Sequence, residues 1–101
     1  MSNTVNVDIQ VLPLTGQEVY PIVDRAIEII QASGLKYEVG PMGTTVEGDL
    51  DACLEVAKAA HRACFVEDVP RVVTIIKIGE AQGGSSMDEK TSKYRTTIDR
   101  P

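Results

Sequence analysis

The stretch that decides the fold is Lys36-Tyr-Glu-Val-Gly-Pro-Met-Gly-Thr-Thr-Val-Glu-Gly-Asp49. It contains two short strand-like runs on either side of the turn-forming residues 40–43, and a helical pattern begins directly after Asp49. The stretch therefore predicts a β-hairpin followed by a helix. In the second strand Thr45 and Glu47 are two residues apart, so their side chains are expected on one face of the sheet.

The flanking sequence extends this hairpin into a ferredoxin-like α+β fold. The expected elements are a strand at 5–13, a helix from near Glu18 to Ser33-Gly34, the hairpin, a helix beginning after the N-cap residue Asp49, a strand at 71–79 and a short polar helix from about Met87. The order β-α-β-β-α-β indicates a four-stranded antiparallel sheet with two helices on one face. Residues 1–101 are expected to form a single domain.

The composition is that of a soluble globular protein, with 43% hydrophobic and 25% charged residues in a chain of 101. No apolar run approaches the roughly 20 residues that span a bilayer, and no signal-peptide pattern opens the chain, so the cytoplasm is the expected compartment. A net charge of −5, a single Phe and no Trp argue against a nucleic-acid partner.

The second helical pattern carries the two cysteines of the chain, Cys53 and Cys64. Eleven residues of straight helix separate them by roughly 16 Å, which excludes a disulfide between them. Both are expected as reduced core residues. The apolar stripe expected for this helix is Leu50, Cys53, Leu54, Ala57, His61 and Cys64.

Two further features of the sequence resemble functional sites, but a structural role is favoured for each. His61 is the only histidine, and no convincing set of metal-ligating residues surrounds it, so a position at the helix surface is favoured. The glycine-rich segment 79–84 precedes a helix and resembles an anion-binding loop, but it lacks the Lys-Ser/Thr of a P-loop. No nucleophile, base or metal set recommends an enzyme.

The sheet face that the two helices leave uncovered, the open face, is the more informative surface. If the valines of the first strand face the helices, then Asn6, Asp8 and Gln10 point to the open side, together with Thr45 and Glu47. Such a surface can bind a small polar molecule. Exposed β-branched residues of the last strand share this face, which indicates partial cover by another subunit. These β-branched residues are Val73 and Ile75. The pattern alone fits both ligand binding and simple packing of the face against another subunit.

Five segments in the same order carry a resemblance to a known family. They are Asp24-Arg-Ala-Ile-Glu28, Ser33-Gly-Leu-Lys-Tyr-Glu-Val-Gly-Pro41, Thr44-Thr-Val-Glu-Gly48, Arg71-Val-Val73, and Glu89-Lys90 with Ser92-Lys-Tyr-Arg95. On these segments the chain resembles the small thiamine-binding protein family, over nearly its full length. The resemblance implies a ferredoxin-like, non-catalytic cytosolic binder of thiamine or its hydroxymethylpyrimidine moiety. It also implies a homotetramer, built as a dimer of dimers that pairs through the sheet.

Thiamine is then a ligand, and no cofactor, metal, nucleic acid or membrane is expected as a partner. A carboxylate of Glu47 or Asp8 suits the exocyclic amine and the positive charge of thiamine. Thr45 and Gln10 suit the ring nitrogens, and Met42 or a tyrosine suits an apolar wall. The candidate binding residues are Asp8, Gln10, Met42, Thr44, Thr45 and Glu47.

Two alternatives to a binding protein stay open at this point. In the first, the open face serves only oligomerisation, which makes the chain a structural or interaction protein. In the second, the chain is an enzyme that acts on a thiamine-like substrate with Glu47 or Asp8 as acid–base.

Overall fold

The computed structural model describes residues 3–66 and 68–98 and has the predicted order of elements. These are β1 (Val5–Leu14), α1 (Tyr20–Ala32), β2 (Lys36–Val39), β3 (Thr44–Gly48), α2 (Leu50–Ala63), β4 (Arg71–Gly79) and α3 (Met87–Ile98). The strands form one antiparallel sheet in the order β2-β3-β1-β4. This is the ferredoxin-like α+β arrangement, so the fold predicted from the sequence is confirmed.

The core lies between the sheet and helices α1 and α2, because one side of each central strand is aliphatic. Val7 pairs with Val46 of β3 on one side and with Ile78 of β4 on the other, and cross-strand partners share a face. The fully buried side chains on this face and on the two helices include Val5, Val7, Val46, Ile30, Cys53 and Cys64. The valines of β1 therefore face the helices, as the alternation predicts.

Helix α1 begins at Tyr20, two residues later than the sequence predicts. Thr15 lies in the turn before this helix, where its hydroxyl accepts from the backbone N–H of Gln17 and donates to the carbonyl of Asp68. Pro21 then falls in the first turn, where its missing N–H costs no hydrogen bond. The expected start near Glu18 thus agrees with the structure to within two residues.

Helix α2 begins at the predicted N-cap, where the Asp49 side chain accepts from the backbone N–H of Ala52 at 3.3 Å. Its buried stripe differs from the predicted one in two positions. Leu54 is 37% exposed, whereas Ala60 is fully buried. The helix thus turns its small residues toward the sheet, and Leu54, which follows Cys53 by about 100° around the axis, lies at the margin of the stripe.

Both cysteines are free and buried, as predicted. Burial raises the pKa of each thiol above its ordinary value of 9.0, and for Cys53 the carboxylates of Asp49 and Glu47 add to the effect. The unfolded chain therefore releases these protons at lower pH than the folded chain does. Their contribution to stability is fully present below the unfolded pKa and is lost as the pH rises above about 9.

We accordingly expect the free energy of unfolding to fall as the pH rises above about 9, in urea titrations at constant ionic strength. A Cys53→Ala, Cys64→Ala double variant is expected to show a shallower fall across the same pH range, because the two titrating thiols are gone. An identical slope in both proteins would contradict the assignment to the cysteines. Below pH 8 the two curves should run parallel, which provides the internal control.

Candidate functional site

The open face carries a row of polar side chains that crosses all four strands. The strand register places Glu38 of β2 opposite Thr45 of β3, Thr45 opposite Asp8 of β1, and Asp8 opposite Lys77 of β4. Neighbours in such a row are about 5 Å apart and project from the same side of the sheet. We call these four residues the charged row. Its acidic members lie toward β2 and its lysine lies on β4.

A second row, next to the charged row, is covered by helix α3. This covered row contains Lys36, Glu47, Asn6 and Gly79, one from each strand. Asn6 is 5% exposed and donates from its side-chain amide to the Glu47 carboxylate at 3.2 Å. Two polar side chains predicted to face the solvent on the open side are therefore packed beneath a helix.

Helix α3 is held on this row by charge and by hydrogen bonds. The backbone N–H of Met87 donates to Glu47 Oε1 at 2.7 Å, and Lys90 Nζ donates to Asn6 Oδ1 at 2.5 Å. Lys36 forms an ion pair with Asp88 in the first turn. Met87 itself is 4% exposed, which makes it the apolar contact of an otherwise polar helix.

The N-terminus of α3 is where the Glu47 carboxylate binds. Helix N-termini present unpaired N–H groups and a partial positive charge, which together attract an anion. The preceding loop reaches this position through Gly83 and Gly84, whose φ angles of 88° and 94° favour glycine. The helix starts at Met87, as the sequence predicts, and the preceding Ser86 caps it, since Ser86 Oγ accepts from the N–H of Glu89 at 3.1 Å. The glycine-rich loop thus leads to an anion site that the chain fills with its own carboxylate.

A cleft of about 230 Å³ lies beside α3, with the charged row as its floor. Residues Met87, Lys90 and Thr91 of α3 form its wall. Thr45 Oγ1 donates to Asp8 Oδ1 at 3.2 Å, which fixes the carboxylate within this floor. The arrangement offers acceptors on one side and ammonium donors on the other, which suits a polar or charged small molecule.

The six candidate residues from the sequence are divided between this cleft and a second cavity. Asp8 and Thr45 line the cleft, and Glu47 lies in the adjoining covered row. The other three line a cavity of about 200 Å³ between α1 and the β2–β3 turn: Gln10, Met42 and Thr44. Thr44 is 4% exposed and pairs with Ile9, so strand alternation places it on the helix side, away from Thr45.

Gly43 is the point at which the β2–β3 turn meets the floor of the cleft. A Cβ atom on Gly43 would lie 3.1 Å from both carboxylate oxygens of Asp8 and 3.2 Å from the carbonyl oxygen of Ile9. These approaches are tighter than side chains normally make, so a side chain on residue 43 would require Asp8 and the Ile9 carbonyl to shift by a few tenths of an ångström. The sequence assigned Gly43 to shaping the turn, and the structure adds this close approach.

Seven residues that line the cleft were not among the candidates from the sequence, and three of these seven are charged: Glu38, Lys77 and Lys90. Strand periodicity could have identified Glu38 and Lys77, because each is the polar residue between two aliphatic or aromatic neighbours in its strand. Lys90 has no such signal. It reaches the cleft from a helix whose position depends on contacts with distant residues.

Beyond the charged row the open face becomes apolar. Leu12, Val73 and Ile75 lie on this face and are 36, 44 and 45% exposed. Gln10 pairs with Ile75 and lies between this patch and Asp8. The face therefore changes from helix-covered, to charged, to apolar along the length of β1.

His61 lies outside the cleft, on the helix side of the sheet. Its ring nitrogen Nδ1 is 2.6 Å from Thr74 Oγ1, and its ring meets that of Phe65 edge-on at 5.5 Å. Across residues 3–66 and 68–98 no cluster of three His, Cys, Asp or Glu side chains is suited to hold a metal ion. None of the helices in this described part of the chain combines the length and apolar character needed to cross a membrane.

The fold and the cleft together define a ferredoxin-like protein with a polar ligand-sized site on its open face. Residues 7–95 match the family model for thiamine-binding protein. The chain is 46% identical over 94 residues to a UPF0045 protein of Clostridium perfringens, covering 92% of this chain and 99% of that protein. The chain belongs to the thiamine-binding protein family, which confirms the family assigned from the five segments.

Solved structures of related proteins agree with this assignment. A domain of unknown function (DUF77) from Bacillus cereus superposes with a TM-score of 0.88 at 44% identity, covering 96% of this chain and 95% of that one. A Thermotoga maritima protein described as a candidate for thiamine biosynthesis or salvage gives a TM-score of 0.82 at 39% identity, covering 91% and 99%. The fold and the family are thus shared over nearly the whole chain.

Proposed function

We propose that this protein is a non-catalytic cytosolic binder of thiamine or of its hydroxymethylpyrimidine moiety, and that it buffers, carries or senses that ligand. The observation that carries the proposal is the charged row in the floor of the cleft beside α3. Family membership supplies the class of ligand, and the cleft supplies a place with matching chemistry.

The charged row offers what the two rings of thiamine require. The exocyclic amine of the pyrimidine is a hydrogen-bond donor, and the Asp8 carboxylate is an acceptor whose orientation is fixed by Thr45. The cationic thiazolium is attracted by the carboxylates of Asp8 and Glu38. Met87 provides the apolar wall against which a ring can pack, a role the sequence gave to Met42 or a tyrosine.

The roles of the remaining candidates follow from their positions. Gln10 follows Asp8 by two residues, so it is the next residue of β1 on the open face and is placed to bond a ligand that extends along β1. Glu47 is already bonded to Met87 and Asn6, so its role in our proposal is to hold the wall of the cleft in place. Met42, 74% exposed, and Thr44 border the cavity on the helix side.

We also propose that the chain assembles as a homotetramer, a dimer of dimers, through its sheet. The exposed patch of Leu12, Val73 and Ile75 supports this, because burial of such side chains favours association. The same patch favours the second candidate function, in which the open face serves assembly alone. The two candidates differ in whether the charged row has a ligand.

The test is isothermal titration of the folded protein with thiamine and, separately, with hydroxymethylpyrimidine. Saturable binding of either compound, at one per chain or one per dimer, is the expected result. Dilution experiments by light scattering establish the oligomeric state in parallel. A folded oligomer that takes up neither compound would overturn the binding function and leave assembly as the role of the open face.

A further inference from the structure

The cleft is lined by two lysines, Lys77 from β4 and Lys90 from α3. Lys77 and Gly79 are two residues apart on β4, which places them on the same face about 7 Å apart. Lys90 reaches across from α3, and its Nζ lies 3.5 Å from where a Cβ atom on Gly79 would be. Lys77 and Lys90 therefore border one end of the cleft from two different elements.

Lys90 is held at this end by a buried partner. Its Nζ donates to Oδ1 of Asn6, whose amide group in turn donates to Glu47. An ammonium group has three hydrogens, so the bond to Asn6 uses one donor and fixes the position of the charge. The geometry of the cationic end is thus set by the same contacts that hold α3.

The opposite end of the cleft is acidic, because Asp8 and Glu38 contribute the carboxylates of the charged row. Unphosphorylated thiamine carries one positive charge and no negative charge. It would pair with the carboxylates but would bring no negative charge to Lys77 and Lys90. A phosphate ester carries close to two negative charges at neutral pH and offers three acceptor oxygens, which complements two ammonium groups.

We infer that the cleft is selective for a phosphate ester of its ligand, with the phosphate bound by Lys77 and Lys90 and the cationic ring by Asp8. The inference rests on the proposed function and names the form of the ligand. The charged row spans three strand intervals, about 14 Å from Glu38 to Lys77, which accommodates an extended ligand that has a phosphate at one end and a cationic ring in the middle. In this orientation the phosphate lies at the lysines, the cationic ring lies beside Asp8, and the pyrimidine extends toward Glu38.

The test compares three compounds by isothermal titration: thiamine, thiamine monophosphate and inorganic phosphate. In the parent protein the monophosphate is expected to bind about tenfold or more tightly than thiamine, because charge-assisted hydrogen bonds to phosphate are added. In Lys77→Gln this preference is expected to fall to about threefold or less, with thiamine binding unchanged or tighter. Inorganic phosphate alone is expected to bind far more weakly than the ester.

Two further variants complete the design. Lys90→Gln removes the second ammonium group and is expected to reduce the preference for the monophosphate in the same way. If the Lys90 variant loosens α3, the result for Lys77→Gln decides, because Lys77 is an exposed strand residue. Lys58→Gln is the matched control, since Lys58 is exposed on α2, on the other side of the sheet. It should keep the parent preference.

The outcomes separate this inference from the proposed function. Equal binding of thiamine and its monophosphate, or a preference that survives in both Lys77→Gln and Lys90→Gln, would overturn the selectivity while the binding function stands. Failure of all three compounds to bind would overturn both. A preference lost in the Lys77 variant and kept in the Lys58 control supports the assignment of the phosphate end.

Discussion

Replacing Glu47 with alanine is expected to lower the free energy of unfolding by about 2 kcal/mol, which corresponds to about 10 °C in Tm for a chain of this size. The Glu47 side chain is only 13% exposed, and it accepts from the backbone of Met87 and from the amide of Asn6. Alanine leaves these two donors without their acceptor and removes the anion from the N-terminus of α3.

The measurement is thermal and urea unfolding, with hydrogen exchange of the α3 amides as the local readout. Hydrogen exchange in α3 is expected to rise more than in β1, because the helix loses its hydrogen bond to Glu47 while the sheet keeps its backbone hydrogen bonds. The control is Glu55→Ala, since Glu55 is 71% exposed and contacts Lys58 only at 4.0 Å. It should change stability by less than about 0.5 kcal/mol. Parent-like stability of Glu47→Ala would show that α3 is held by other contacts.

Replacing Asp8 with asparagine is expected to weaken thiamine binding by about tenfold to a hundredfold, the range for loss of a hydrogen bond to a charged group. Asparagine keeps the size of the side chain and an oxygen that can accept from Thr45, so the floor of the cleft is preserved. What is lost is the negative charge that attracts the ring cation and its amine. Stability is expected to change little.

Isothermal titration of the Asp8→Asn protein provides the measurement, with Asp51→Asn as the matched control. Asp51 is an exposed carboxylate in the first turn of α2, so its loss alters the net charge equally without touching the cleft. Binding that is unchanged in the Asp8 variant would remove the charged row from the proposed site. Equal weakening in both variants would point to net charge rather than to a specific contact.

The fold was predictable because the alternation in β1 and β3 is regular. Once Val7 and Val46 are assigned to the core, the period of two places Asp8 and Thr45 on the other face, and the register confirms that they are partners. The same period separates Thr44 from Thr45. Thr44 entered the candidate set through the family segment, and strand geometry places it on the helix side.

The wall of the cleft was not predictable in the same way. Helix α3 is mostly polar in sequence, and among its residues 87–94 only Met87 is buried, so its pattern does not indicate which surface it covers. Its position is set by bonds across 40 residues to Glu47 and 84 residues to Asn6. Local periodicity carries no information about such pairs. The ligand role of all six candidate residues stays a prediction until binding is measured.

The late position of α3 in the chain has a consequence for biosynthesis. During translation the four strands and the first two helices leave the ribosome before α3 does, and they contain the complete core. We therefore expect the floor of the cleft to become able to fold before its wall does, with Asn6 and Glu47 exposed to water until α3 packs on them. The proposed ligand site is then the last part of the fold to be completed, once α3 has left the ribosome.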